Sequence, residues 1–226
     1  MYVVSKEQPQ ERAEFIKKTY LHLAGAVGAF ILVETFLIQS GIAAVLAQSL
    51  TGGFTWLAVL GGFSILGWLS RGLASRADSI SLQYGGLALY VVGEALLFSP
   101  LIYIANTLYD PTIVPTAGVL TLFMFGGLTT VAFTTGKDFT FLGSAIKIGG
   151  CVALGLIVGG VVFGFKLGLF FSVAMVGLAM AAILYDTSKI MHHYTKDQYV
   201  AASLELFASV ALLFWYVIRI LMSSRR

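Results

Sequence analysis

Long uninterrupted apolar segments are the feature that most constrains what this chain can become. Seven of them occur, at residues 20–41, 54–70, 81–109, 112–135, 139–165, 167–191 and 199–222. At about 1.5 Å per residue, each can cross a hydrocarbon core of about 30 Å. Only 11% of the residues are charged, whereas soluble domains carry about 25%. We therefore predict an all-α membrane protein, a bundle of seven transmembrane helices in contact with the lipid bilayer.

The remaining sequence is too short to form a separate soluble domain. Residues 1–19 are predicted to form a polar cytoplasmic tail that contains a short surface helix, and residues 20–222 the membrane domain. Residues 223–226 form a basic C-terminal tail. The apolar segment 42–51 is too short for a further crossing, so we assign it to an extension of the first span or to an interfacial turn.

Lysine and arginine placement in short loops predicts the orientation, with the N-terminus cytoplasmic. The inner side then collects Lys6, Arg12, Lys17, Lys18, Arg71, Arg76, Lys137, Lys189 and Lys196. Three C-terminal arginines oppose this bias if the last segment crosses fully, and a re-entrant last segment is the alternative. The compact loops favour a bacterial inner membrane. The formal net charge of +3 and the lack of a basic stripe argue against nucleic acid as a partner.

Asp186, near the end of the sixth segment, is the residue whose presence most needs a reason. A charged aspartate inside a bilayer costs roughly 2.5–3.5 kcal/mol, so it must meet protein, water or a proton. Rise per residue brings Glu205 of the seventh segment to a similar depth, with Ser209 one turn deeper. Two neighbouring carboxylates share protons as a unit, which predicts a proton-sensing site. Alternatively, Arg71 or Arg76 pairs with Asp186 as a salt-bridge latch, or these groups only hold helices together.

Two further acids lie at membrane depth, Glu94 near the middle of the third segment and Glu34 in the outer half of the first. With Asp186 they can form a discontinuous acidic route, whose oxygens suit a hard cation such as Ca²⁺. We expect at most transient Ca²⁺ binding at Asp186, no firm metal site and no cofactor. Lys147 either neutralises one acid or extends to the interface.

Catalysis is not supported by the residues. An intramembrane aspartyl protease needs two aspartates at matching depth, and Asp186 is the only one well inside a segment. A serine protease needs a deep base, whereas His22, His192 and His193 lie at a segment start or in a loop. No HExxH, phosphate-binding loop or dinucleotide fingerprint occurs. We expect that the protein is not an enzyme.

Glycine and proline positions predict how the helices pack. Gly155, Gly159, Gly160 and Gly164 repeat at four-residue spacing, which favours a flat face for a neighbouring helix. Pro100 inside the third segment removes a backbone hydrogen bond, so we expect a kink or an interruption there.

Two short motifs carry a resemblance to a known family. The turn GKDFTFLG at residues 136–143 and the stretch LYDTSKI at residues 184–190, with seven spans around them, resemble the Bax inhibitor-1 (TMBIM) family. The resemblance implies a helical bundle around a central last helix and a pH-regulated calcium leak. It also implies that Asp186 forms a dyad with an aspartate on the seventh span and exchanges with an arginine from the second.

The sequence departs from this family pattern at the second dyad position, where Ser209 replaces the aspartate. Glu205, one turn away, is a substitute on position alone. Loss of the aspartate resembles the YccA-like bacterial branch, which implies association with the membrane protease FtsH. Two hypotheses follow: a cation leak gated by protonation around Asp186, or a modulator of an FtsH-type protease or stress and cell-death regulator that acts by protein contacts with little transport.

Overall fold

The computed structural model describes residues 9–49, 53–76 and 78–225, and within these ranges every regular element is helical. The helices are α1 (Pro9–Gln39), α2 (Ile42–Ser49), α3 (Gly53–Ala74), α4 (Ile80–Ile104), α5 (Ile113–Thr135), α6 (Leu142–Phe163), α7 (Leu169–His192) and α8 (Tyr199–Ser224). A π-helical turn (Ala105–Tyr109) extends α4, and a 3-10 turn (Lys196–Gln198) precedes α8. All the described helices except α2 are long and apolar enough to cross a membrane, seven in total. The predicted seven-helix membrane bundle is confirmed.

The last helix forms the centre of the bundle. It packs against α1, α3, α4, α5 and α7. Its large apolar side chains Leu204, Leu206, Leu213 and Ile218 are almost fully buried. By contrast, α6 is mostly exposed and presents apolar side chains outward, as a lipid-facing helix does because lipid replaces water around it. The protein is therefore an integral membrane protein whose outer helices contact the bilayer.

The first helix begins earlier than the predicted first span, at Pro9, which can start a helix because its missing N–H needs no partner there. The polar residues 10–19 form the opening turns of α1 rather than a separate surface helix. Residues 1–8 of the predicted tail, and Arg226 of the C-terminal tail, lie outside the described residues. Gly41, with a left-handed φ of +79°, separates α1 from the short helix α2.

Pro100 does not end α4, which continues to Ile104. A proline cannot donate to the carbonyl four residues earlier, so the Leu96 oxygen loses its usual helical partner. The Ser99 hydroxyl donates to this oxygen at 3.3 Å. The helix then widens into the π-helical turn before α5. The neighbouring serine thus satisfies the carbonyl that the proline leaves free, which is why the span remains continuous.

The predicted glycine face of α6 packs against no other helix of the described residues. Space around Gly155 is open, while Gly159 and Gly160 lie beneath Phe165 of the loop that follows the helix. Gly164 ends α6 in the left-handed conformation, with φ of +73°. Four-residue spacing indicates a shared face but not what covers it, so the prediction assigned these glycines the wrong role.

Glycine does permit a close approach of two helix backbones between α3 and α4, at Gly86. A methyl group there would lie 2.5 Å from the Ser70 carbonyl oxygen and 2.7 Å from the Ala74 nitrogen, both backbone atoms. We expect Gly86→Ala to destabilise the bundle by about 1–3 kcal/mol, as overpacked substitutions do. Gly85→Ala is the matched control, because a methyl group there meets nothing within 4 Å. Thermal unfolding in detergent measures both, and equal melting temperatures would contradict the prediction.

Candidate functional site

A cavity of about 730 Å³ lies among α3, α4, α6, α7 and α8 and collects most of the predicted site residues. Its ionisable and polar lining includes Arg71, Tyr90, Glu94, Lys147, Tyr185, Asp186, Glu205, Ser209 and Arg219. Aromatic and aliphatic side chains form the rest of the wall. Three of the four carboxylates predicted at membrane depth therefore share one space, although they come from three different helices.

Asp186 and Ser209 join α7 to α8 inside this cavity. Asp186 is 6% exposed, and the Ser209 hydroxyl donates to its Oδ2 at 2.5 Å. The two helices are held at matching depth by the short 3-10 turn, in which the Thr195 N–H donates to Gln198 Oε1 at 3.1 Å. The serine thus occupies the position of a dyad partner as a hydrogen-bond donor to a single buried carboxylate.

Arg71 and Glu205 form an ion pair that joins α3 to α8, and we call this pair and the Asp186–Ser209 bond the two ties of the site. The Arg71 Nε–H is shared between the two carboxylate oxygens, at 3.0 Å from Oε1 and 3.1 Å from Oε2. The guanidinium also lies over the Tyr90 ring, 5.4 Å from its centroid. The side chains are 43% and 31% exposed, so the pair can be reached from outside the packed core. The predicted salt bridge from Arg71 or Arg76 to Asp186 is therefore wrong, because Arg71 pairs with Glu205 instead.

Glu94 extends the polar contacts away from this pair. It is 5% exposed and lies one helical turn beyond Tyr90 on α4. Tyr90 in turn lies beneath the Arg71 guanidinium. Glu94, Tyr90, Arg71 and Glu205 therefore all line the same cavity.

Arg76 and Glu34 are the predicted site residues that the structure places elsewhere. Arg76 follows the end of α3, its side chain is exposed, and its carbonyl accepts a bond from Gln83 Nε2 at 2.9 Å. Glu34 lies on α1 and is 5% exposed, with no hydrogen-bond partner for either oxygen among the described residues. Neither residue lines the cavity. Of the three acids predicted to form one route, Glu94 and Asp186 line the cavity, together with Glu205, and Glu34 does not.

Sequence reasoning missed a polar cluster at the turn between α5 and α6. Asp138 accepts from the Thr140 N–H at 2.9 Å and from the Ser188 hydroxyl at 3.1 Å, both at Oδ1. His193 Nε2 lies 3.1 Å from its Oδ2, and the Phe139 N–H donates to Ser188 at 2.8 Å. The spacing of Asp138 and Thr140 is typical of an Asx turn and was the available signal. The cluster fastens this turn to the end of α7.

Hydrogen bonds from the Thr140 side chain and backbone, then from His193 and Ser188, hold the pKa of Asp138 well below its usual range. A lowered folded-state pKa stabilises the protein above the unfolded value of about 3.9, and this stabilisation is lost as the pH falls further. We expect Asp138→Ala to lower the melting temperature by about 2–4 °C at neutral pH. This difference should shrink below about pH 4.

Asp197→Ala is the control for this prediction, since Asp197 is an exposed carboxylate in the 3-10 turn before α8. Its removal should leave the melting temperature unchanged at both pH values. A difference for Asp138→Ala that stays constant from neutral to acidic pH would show that ionisation of this carboxylate does not contribute.

Comparisons with known proteins cover nearly the whole chain. The family model described as "Inhibitor of apoptosis-promoting Bax1" matches residues 12–226. An uncharacterized protein of Pseudomonas aeruginosa is 33% identical over 110 residues, which is 48% of this chain and 49% of that protein. The Golgi anti-apoptotic protein of Vaccinia virus is 27% identical over 146 residues, 61% of this chain and 56% of the viral one. Protein lifeguard 4 of Mus musculus is 30% identical over 127 residues, which is 51% of this chain and 49% of the mouse protein. The chain spans about half the length of the relatives it matches.

Proposed function

The chain belongs to the Bax inhibitor-1 family, and from this premise we propose that it is a pH-sensitive cation leak that passes Ca²⁺. One observation carries the proposal: Glu94, Asp186 and Glu205 line a single cavity across which Arg71 closes α3 onto α8. Carboxylate oxygens are the ligands that Ca²⁺ prefers. The cavity therefore offers both a path for a hard cation and a positively charged group that restrains the path.

Transient binding suits conduction better than a tight site. An ion must bind well enough to enter a pore and weakly enough to leave it. Within the described ranges, no three histidine, cysteine or acidic side chains gather closely enough to hold a metal ion. Under this proposal Ca²⁺ is the transported substrate, and the carboxylates carry out no covalent chemistry.

Protons act on the two ties that end on α8. A proton on Glu205 removes the negative charge that holds the Arg71 guanidinium, and α3 is then free to move from α8. A proton on Asp186 weakens the hydrogen bond from Ser209, because a neutral carboxyl group is a poorer acceptor than a carboxylate. The other ionisable groups that line the cavity around these acids are Arg71, Tyr90, Glu94, Lys147, Tyr185, Tyr216 and Arg219.

Calcium flux into dye-loaded liposomes tests the proposed leak. Reconstituted protein should admit Ca²⁺ faster than protein-free liposomes, and the rate should rise as the pH is lowered from neutral to mildly acidic. Sucrose retention by the same liposomes controls for general leakiness. A rate equal to that of protein-free liposomes at every pH would overturn the proposal.

A regulatory role without transport is the second candidate. It is favoured by Ser209 in place of the second aspartate, which leaves the dyad with one carboxylate. The partner would be an FtsH-type membrane protease or a component of a stress or cell-death response. The direct test adds the purified protein to reconstituted FtsH and follows degradation of a membrane substrate. An unchanged degradation rate would count against protease modulation.

A bacterial inner membrane with a cytoplasmic N-terminus is the location that fits both candidates. The seven described spans then put the two ends of the chain on opposite sides. Reporter fusions that are active on only one side of the membrane test this orientation at residue 8 and after residue 226. Activity of the same reporter at both ends would exclude it.

A further inference from the structure

A second cavity, of about 540 Å³, lies at the end of the bundle that holds the C-terminus. It is bounded by the π-helical turn after α4, the loop between α6 and α7, and the last turns of α8. Its polar lining includes Lys166, Gly168, Ser172 and Arg219, and the described residues contribute no carboxylate to it. The cavity is therefore positively charged and lies where helices leave the hydrocarbon.

Unsatisfied donors point into this cavity. No side chain caps the N-terminus of α7, which begins directly after Gly168, so the amides of its first turn are available to an anion. Ser172 is 3% exposed, lines the cavity, and its hydroxyl has no hydrogen-bond partner in the described part of the chain. A hydroxyl at the wall of a cavity, without a protein partner, is free to donate a hydrogen bond to an oxygen of a bound ligand.

The two cationic side chains that line this cavity also lack an ionic partner among the described residues. Neither Lys166 nor Arg219 forms an ion pair within residues 9–49, 53–76 and 78–225, whereas the nearby Arg225 pairs with Asp110. An arginine, a lysine, a hydroxyl and a helix N-terminus around one space form a donor set that suits phosphate oxygens.

We propose that this second cavity is a phosphate-binding site that takes the headgroup of an anionic phospholipid. The depth of the cavity matches the headgroup layer, because it lies at the ends of four spans. The apolar side chains of Leu101, Ile104 and Met222 line the same space and suit the glycerol and upper acyl carbons. Inorganic phosphate shares the chemistry that the donors recognise, and it is the alternative source.

Native mass spectrometry of the detergent-purified protein tests the site with two lipids, phosphatidylglycerol and the phosphate-free diacylglycerol. Wild type should retain one phosphatidylglycerol and no diacylglycerol. The double variant Lys166→Gln/Arg219→Gln should bind phosphatidylglycerol at least about tenfold more weakly. Arg76→Gln is the control, since it also removes a positive charge but lies outside the cavity. Binding is the readout because Arg219 also lines the first cavity, so its removal can change flux for another reason.

Thermal unfolding of each variant in detergent separates lost binding from lost folding. If the double variant fails to fold, Ser172→Ala removes only the hydroxyl, and it should weaken phosphatidylglycerol binding about threefold. Competition with inorganic phosphate identifies the source: displacement of the lipid by phosphate alone assigns the site to free phosphate, and no displacement assigns it to the headgroup. Equal phosphatidylglycerol retention by wild type and folded variants, or equal retention of diacylglycerol, would overturn the proposal.

Discussion

Calcium flux through liposomes that carry Asp186→Asn is expected to lose its response to pH. Asparagine keeps the shape of the side chain and can still accept the hydrogen bond from Ser209, but it cannot exchange a proton. A wild-type response of about tenfold corresponds to about 1.4 kcal/mol between the two states. The variant should reduce this ratio to about one, measured as the initial rate at neutral pH and at mildly acidic pH in parallel preparations.

Glu34→Gln is the matched control for this experiment. Glu34 is also a carboxylate buried in a membrane helix, at 5% exposed, but it does not line the cavity. Its variant should keep the wild-type response, so a general effect of removing buried charge is excluded. If Asp186→Asn and wild type respond identically to pH, Asp186 is not the proton sensor. The rate relative to protein-free liposomes then decides separately whether the leak exists.

Sequence reasoning brought the right two helices together at Asp186 but chose the wrong partner. Helical rise placed Glu205 at the depth of Asp186, whereas the hydrogen bond to Asp186 comes from Ser209, one turn deeper. The α7–α8 connection is short, so helical rise alone brings residues of the two helices to matching depths. The same reasoning found the membrane spans, because lipid leaves a long apolar segment no alternative to a helix. The central position of α8 came from the family resemblance, and the packing confirms it.

Contacts between distant segments were not predictable from a single sequence. Arg71 and Glu205 are 134 residues apart, and periodicity does not say which of two inner arginines reaches which carboxylate. Arg76 was an equal candidate until the end of α3 placed it outside the cavity. Glu34 lies at membrane depth like the other acids, but depth does not show which side of α1 faces the cavity.

The two interhelical contacts of the candidate site, Asp186–Ser209 and Arg71–Glu205, both involve α8. A change in one contact therefore affects the other. Ser209 and Glu205 lie one turn apart on this helix, so a proton that loosens one tie changes the charge felt by the other. The Asp186 bond joins α8 to its neighbour in sequence, and the Arg71 pair joins it to α3. Of the two helices joined to α8 by these contacts, α3 is less buried than α7, and its contact with α8 is partly exposed.

Breaking the Arg71–Glu205 pair should therefore raise calcium flux at neutral pH. Charge-assisted bonds contribute about 1.5–3 kcal/mol when buried, and partial exposure reduces this to about 1–1.5 kcal/mol here. If that free energy favours the closed state, Arg71→Gln and Glu205→Gln should each raise the neutral-pH rate about tenfold. The double variant should be no faster than either single variant, because each change removes the same interaction.

Arg225→Gln is the control for the loss of an ion-paired arginine, since Arg225 pairs with Asp110 at the far end of the bundle and lies outside the first cavity. Its flux should equal that of wild type. Arg71→Lys should give an intermediate rate, because lysine keeps the charge but lacks the planar Nε–H that the two carboxylate oxygens share. Rates that multiply in the double variant would mean that Arg71 and Glu205 act independently. Wild-type rates in both single variants would mean that the pair does not hold the path closed.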